Sequence, residues 1–217
     1  MDRTSQLRAY PRSVSGSGSG DSDLVARCVA GDRSAQRRLF ESEKRRVHAT
    51  LFRILGPNQN LDDLVQDVFL SVFRSLHAFR GESSVSTWVD RCAVHAALAH
   101  IRGRRDRQHL ELVAESLASN DPSAERRALA REATRHLYAA LEGLPSKQRT
   151  AFALSAIDGR PVGEIAELMG ATAVATKARI WRARLYVEKR AKSDPVLAEY
   201  LVDAKHGASP APKGARP

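Results

Sequence analysis

The sequence predicts an all-α protein of two small helical bundles joined by a flexible linker, the second bundle containing a helix-turn-helix. Three observations predict it. Apolar residues recur at helical spacing in segment after segment between the two tails. Gly, Pro and Asp punctuate those segments where helices start or stop. Residues 107–121 lose clear periodicity and separate two such groups of helices.

Residues 1–20 read as a tail, ending in the Ser15–Gly20 Gly/Ser tract, which cannot bury a core. Asp21 or Ser22 caps a first helix carrying Leu24, Val25, Cys28 and Val29 on one face. Gly31 and Asp32 interrupt it. A second helix spans about Ser34 to Leu55 with Leu39, Phe40, Val47, Leu51, Ile54 and Leu55 as its stripe, and Gly56-Pro57-Asn58 stops it. A third, from about Asp62 to Ala78, carries Leu64, Val65, Val68, Phe69, Val72, Phe73 and Leu76. After the polar loop Arg80–Ser84, a fourth helix starts near Ser86 and ends in the basic run Arg102–Arg107. This first bundle spans residues 21–106, and the linker spans 107–121.

The second bundle spans residues 122–195. Asp121-Pro122 restarts a helix that reaches about Glu142, with Asp as cap and Pro in the first turn. Leu144-Pro145 opens another that ends at Asp158-Gly159. Two closely spaced helices follow, Val162–Met169 and about Thr172–Lys192, parted by Gly170-Ala171. Residues 196–217 form a Pro/Ala-rich tail.

Charge narrows the function. Over 217 residues, 35 Lys and Arg face 25 Asp and Glu, a formal charge of +10. So basic a chain points to a polyanionic partner, most often nucleic acid. Two cysteines cannot build a disulfide framework and fit a reducing cytoplasm. The longest apolar runs fall far short of the roughly 18 residues a membrane helix needs, so no membrane insertion is expected. Gly-rich phosphate loops, Ser-His-Asp groupings and paired carboxylates are absent, so no enzymatic centre and no cofactor is expected. Cys92, His95 and His100 do not match a closed zinc site, and no metal is expected.

The strongest local pattern is Pro161–Thr172. A short helix with Ile165, Ala166, Leu168 and Met169 inside meets a Gly turn, and Thr172 opens a longer basic helix. This is a helix-turn-helix pattern. From Thr172 to Lys192 seven basic residues face one acid, Glu188. Helical phase puts Thr176, Ile180, Ala183 and Val187 inward, and Lys177, Ala178, Trp181 and Arg182 toward a groove. Arg and Lys read guanine edges or hold phosphates, and Ala178 permits close approach. The plain alternative is a solvated basic helix on an ordinary bundle.

In the third helix, Leu61–Leu70 carries three acids and no base, with more apolar residues than one buried stripe needs. Val65, Phe69 and Leu70 are expected to face partly outward as a protein-binding surface. A central helix buried on two sides is the alternative. Next comes an aromatic and basic stretch, Phe79–Trp88, then Arg91 and the Arg102–Arg107 cluster. Aromatic and basic groups beside a polar loop suit a single strand, through stacking and phosphate contact. Trp88 also reads well as a core residue.

Asp63–Phe69, followed by Phe79–Ser84 and Ser86-Thr87-Trp88, resembles the second conserved region of bacterial RNA polymerase sigma factors, and most of all the small extracytoplasmic-function (ECF) group. Leu141–Arg149, Gly163–Gly170 and Thr176–Arg184 resemble their fourth region. The resemblance covers about residues 22–192. It implies a protein without a catalytic centre that binds core RNA polymerase, recognises −35 and −10 promoter elements and helps open DNA.

The resemblance also implies residue roles. Asp63, Gln66, Asp67 and Phe69 would dock on the clamp helices of the largest polymerase subunit. Arg80, Ser84, Trp88, Arg91, His95, Arg102, Arg104 and Arg105 would hold the −10 region. Thr172, Lys177, Ala178, Arg179, Trp181 and Arg182 would meet the −35 element, with the second domain on the β flap. An anti-sigma factor is a further implied partner, and the cytoplasm the implied location. The sequence departs from the family at Ala93-Val94-His95, where an Ala-x-Asn step is usual. It departs again at Val174-Ala175-Thr176, where Gly-Thr-Val is usual, and at Pro161, where Ser is common.

Two other readings exist. In one, the helix-turn-helix works alone as a DNA-binding regulator, probing paired half-sites as a dimer. Such a protein has no need of the Asp63–Phe69 helix or the Phe79–Trp88 loop. In the other, the chain is a nuclease, which would require a metal or acid/base set that the sequence lacks.

Overall fold

The computed structural model describes residues 19–105 and 122–198, and side chains over 21–103 and 131–198. Every regular element among them is helical. The order is α1 (Ser19–Val29), α2 (Arg33–Leu55), α3 (Leu61–Ser75) with a 3-10 turn at Leu76–Ala78, α4 (Val85–Arg105), α5 (Pro122–Glu142), α6 (Ser146–Phe152), α7 (Val162–Leu168) and α8 (Ala173–Lys192).

Local chemistry sets the boundaries. The Asp32 side chain caps α2, accepting from the Ser34 and Ala35 amides at 2.8 and 3.2 Å. The Ser34 hydroxyl and the Arg27 guanidinium hold its carboxyl well below the usual carboxylate range. Gly56 ends α2 at φ 78°, its amide donating to the Phe52 carbonyl at 2.7 Å. That left-handed geometry favours glycine. Ser84 opens α4: its hydroxyl accepts from the Thr87 amide at 3.1 Å and pairs with the Thr87 hydroxyl at 2.9 Å. After α6 the backbone loosens into a π-helical turn over Ala153–Ile157, and the Asp158 amide reaches back to the Ala153 carbonyl at 3.0 Å.

The described helices fall into two compact units. One contains α1–α4, α6, α7 and α8 as far as Ala183; the other contains α5 and α8 from Arg184 onward. In the first, Leu39, Val47, Leu51, Ile54, Val68, Val72, Val89 and Ala97 share one apolar cluster with Ala151, Leu154, Ile165 and Leu168. Helix α4 is central and packs against α2, α3, α6 and α7. The second unit has its own small cluster of Leu137, Ala140, Ala191 and Leu197.

Here the structure regroups the sequence reading. Periodicity identifies the apolar face of a helix but not the neighbour that covers it. The helix-turn-helix segment accordingly shares a core with residues assigned by sequence to a separate bundle. No described helix is long and apolar enough to cross a membrane.

Candidate nucleic-acid and polymerase interfaces

Helices α7 and α8 form the helix-turn-helix. Pro161 sits in extended geometry just before α7, and its carbonyl accepts from the Ile165 amide at 3.1 Å. Ile165, Ala166 and Leu168 are buried. Gly170 turns the chain at φ 56°, and the Ala171 amide donates to the Ala166 carbonyl at 2.8 Å. The Thr172 hydroxyl then caps α8 by accepting from the Ala175 amide at 3.2 Å. Thr172 is therefore exposed and engaged in the cap.

Along α8, Thr176, Ile180 and Ala183 are buried, as phase predicts, and Val187 is half-buried. Lys177, Trp181, Arg182 and Arg184 are exposed, and Ala178 and Arg179 are half-buried. Trp181 is 62% exposed and Val174 79%. A large indole held in water on a basic helix is what a groove- or partner-reading surface looks like.

The acidic helix α3 splits by face. Asp62, Asp63, Gln66, Asp67 and Leu70 are exposed. Asp62 and Asp63 lie in the first turn, where the helix dipole favours negative charge. Val65 and Phe69 are buried, which corrects the expectation that they face outward. Phe69 is 3% exposed and meets the Phe40 ring edge-on at 4.7 Å and the Phe73 ring at 6.1 Å. It is a core residue, reached from α3 and α2 alike. Leu70, on the same helix, is 51% exposed.

The loop before α4 and α4 itself carry the residues implied for the −10 region. Arg80 is exposed, and Gly81 turns the loop at φ 71°. Ser84 is half-buried and spent on capping α4. Trp88 is half-buried and lies edge-on to Phe79 at 5.7 Å, and its buried Nε1 has no hydrogen-bond partner among the described residues. His95 is half-buried, and burial first, then the charges of Arg102 and Arg91, pull its pKa below the ordinary histidine value. Arg102 is exposed. The side chains of Arg104 and Arg105 lie outside the described residues.

Arg91 departs from expectation. It is 8% exposed, and its guanidinium faces Glu167 of α7 at 3.8 Å. In this structure α7 covers it.

Sequence reasoning missed an ionic cluster beside Arg91. Asp90 is fully buried, and its Oδ2 accepts from Arg46 Nε and Nη2 at 3.0 and 2.7 Å and from Arg160 Nη1 at 3.0 Å. Arg160 also holds Asp158 at 2.5 Å and Glu164 at 2.7 Å, and Arg53 meets Asp158 at 2.9 Å. Burial depresses the Arg160 pKa, but the hydrogen bond to Asp158 and the Asp90 charge outweigh it, so the group stays ionised. Nearby, buried Arg149 donates to the Ile54 and Leu55 carbonyls at 3.1 and 2.8 Å, satisfying the end of α2. One signal was available. Asp90 lies in phase with Ala93 and Ala97, both fully buried, and an acid in an apolar stripe demands a partner.

Among the described residues no group of three potential ligands could hold a metal ion. Burial pushes the Cys92 thiol up to about 12, as expected of a small apolar group in the core.

Comparison with known proteins places this geometry. The family described as Sigma-70 region 2 matches residues 39–107, and Sigma-70 region 4 matches residues 134–186. The chain is 31% identical over 180 residues to the ECF RNA polymerase sigma-E factor of Haemophilus influenzae, covering 78% of this chain and 94% of that one. It is 30% identical over 190 residues to the RNA polymerase sigma-H factor of Pseudomonas aeruginosa, covering 82% and 96%. Its fold resembles that of CnrH, solved with the cytosolic domain of CnrY, at a TM-score of 0.53 and 22% identity over 80% of this chain and 98% of that one. It also resembles the sigma factor RpoE of Bartonella quintana, solved with the anti-sigma factor NepR, at a TM-score of 0.52 and 20% identity over 73% and 97%. The order of elements, the two matched regions and the relatives agree: the chain belongs to the extracytoplasmic-function sigma factors of the sigma-70 family.

Proposed function

We infer that this chain is a promoter-recognition sigma factor that binds core RNA polymerase, reads −35 and −10 elements and promotes DNA melting. The observation that carries this reading is the pairing, in one chain, of a matched region 2 with a matched region 4. A stand-alone helix-turn-helix regulator would account only for the second. The protein acts as a non-enzymatic initiation factor, working by binding energy rather than by chemistry on a substrate.

The residue roles are our proposal. Asp63, Gln66 and Asp67 present an exposed acidic face for the polymerase clamp helices, with Leu70 beside them in place of Phe69. Region 4 would sit on the β flap. Lys177, Arg182 and Arg184 supply phosphate and base-edge donors, and Trp181 supplies apolar contact, for instance to thymine methyl groups. Arg80, Trp88, His95 and Arg102 would hold the −10 region, with Trp88 stacking on an unstacked base. Arg104 and Arg105 extend the basic run of α4. The two structural neighbours were solved with partner proteins, one of them an anti-sigma factor, and an anti-sigma factor is accordingly proposed here, with action in the cytoplasm.

The test is run-off transcription. Core polymerase plus this chain, given a pool of genomic promoter fragments, is expected to yield discrete transcripts that core polymerase alone does not. Duplex binding without any polymerase-dependent transcript would favour the stand-alone regulator.

A further inference from the structure

We propose that Val174, in the first turn of α8, is a base-reading residue of this chain: it packs on the C5-methyl group of a thymine in the major groove of the upstream promoter element. Val174 thereby adds a specificity to the −35 reading proposed above for α8, and rests on that reading.

Val174 is 79% exposed, more than any other large apolar side chain among the described residues. It follows the Thr172 cap directly, in the turn that the Thr172 hydroxyl fixes by accepting from the Ala175 amide. Ala178 and Trp181 follow it at i+4 and i+7, so the three share one strip of the helix surface. Exposed Lys177 borders that strip on one side and exposed Arg182 on the other. A Val in water adds nothing to α8 itself, because a β-branched side chain is only a moderate helix former.

The side chain of Val174 has no donor or acceptor. Of the features a base pair shows in the major groove, only the thymine C5-methyl group complements it. Set against the amino group of cytosine or adenine, it would strip water from a donor and return no hydrogen bond. A Val in a helix holds essentially one rotamer, so docking costs it little freedom. In a helix-turn-helix the N-terminal residues of the second helix are the ones that reach base edges. The flanking charges choose the occupant. An apolar strip between basic borders matches a groove floor of methyl groups between two phosphate backbones, and it repels a second copy of the same basic strip. Val174 and Trp181 lie two turns apart, about 10 Å along the axis. That length spans about three base pairs, so the strip selects two thymines at about that spacing.

The experiment is a uracil scan. The full chain with core RNA polymerase selects duplexes from a pool randomised over the upstream element, and the same selection is run without polymerase. In the selected duplex each thymine is replaced in turn by deoxyuridine, which removes the methyl group and keeps the hydrogen-bonding edge. Fluorescence anisotropy reads binding by the parent, Val174→Ala and Leu185→Ala, a second exposed apolar position farther along α8. Loss of one methyl contact corresponds to about a fourfold change in affinity. At one thymine the parent is expected to weaken by about that factor on uracil substitution, whereas Val174→Ala, already weaker, loses nothing further. At a second thymine, about three base pairs away, both proteins weaken alike because Trp181 is unchanged. Leu185→Ala keeps the parent's sensitivity at the first thymine. Val174→Ala keeps the parent's thermal melt, since its site is exposed.

A duplex bound with polymerase, but with no thymine whose uracil penalty disappears in Val174→Ala, overturns the assignment and leaves the sigma reading standing. A penalty that disappears equally in Leu185→Ala overturns it too. If Val174→Ala instead abolishes a self-association seen on size-exclusion and leaves every uracil penalty intact, the strip is a protein face and the assignment falls. A Val174-dependent penalty on duplex selected without polymerase, from a chain that forms no polymerase complex, keeps the contact and removes the sigma reading. Selection of no duplex under either condition overturns both.

Discussion

Replacing Phe69 by Ala separates a core role from a polymerase-contact role. Phe69 is 3% exposed and wedged between the Phe40 and Phe73 rings. Truncating a buried Phe to Ala costs about 3–5 kcal/mol, through lost transfer energy and the cavity left behind. For a chain of this size each kcal/mol moves the melting midpoint by about 2–4 °C, so a drop of roughly 6–20 °C is expected. Its neighbour Leu70 is 51% exposed, and Leu70→Ala is expected to change stability by no more than about 0.5 kcal/mol. The assay is a thermal melt followed by far-ultraviolet circular dichroism, run beside a polymerase pull-down. Phe69→Ala should lose stability, whereas Leu70→Ala should keep its melt and bind polymerase more weakly. A Phe69→Ala protein that melts within 2 °C or so of the parent yet fails to bind polymerase would refute the burial reasoning.

Further outcomes follow from the exposed charges and the half-buried histidine. Arg182→Ala is expected to leave the melt and polymerase binding unchanged while weakening −35 duplex binding; if Arg182 holds a phosphate, the salt slope of binding also falls by about one, which a salt titration by fluorescence anisotropy reads. Asp63→Asn with Asp67→Asn should weaken polymerase binding and leave duplex binding intact, as measured by native gel competition. Because burial lowers the folded His95 pKa below its ordinary 6.5, the unfolded chain takes up that proton first. Stability from His95 is therefore intact above about pH 6.5 and falls as the pH drops below it. Urea midpoints at pH 7.5 and 5.5 should differ less in His95→Gln than in the parent.

Much of this was legible in the sequence. Helix starts at Pro122 and Thr172 and stops at Gly56 and Gly170 follow from capping chemistry, which is local and needs no tertiary information. The inward and outward faces of α8 follow from phase alone. Phe69 shows where phase runs out. Helix α3 carries more apolar residues than one stripe holds, and only the position of Phe40 on α2 decides which of them is covered. Arg91 and Arg149 mark a deeper limit. Charge marks them as solvent-facing, and the structure buries both because Glu167 and the end of α2 supply partners 76 and about 94 residues away in sequence. Long-range ionic partners leave no periodic trace. The one residue that did leave a trace is Asp90, an acid in an otherwise apolar stripe.

The most direct test of the central claim is size-exclusion chromatography of the purified chain with sigma-free bacterial core RNA polymerase. A stoichiometric complex that another sigma factor displaces is the predicted result. A chain of intact helicity, free of any bound inhibitor, that elutes apart from the polymerase would contradict the account and transfer the weight to a stand-alone DNA-binding regulator.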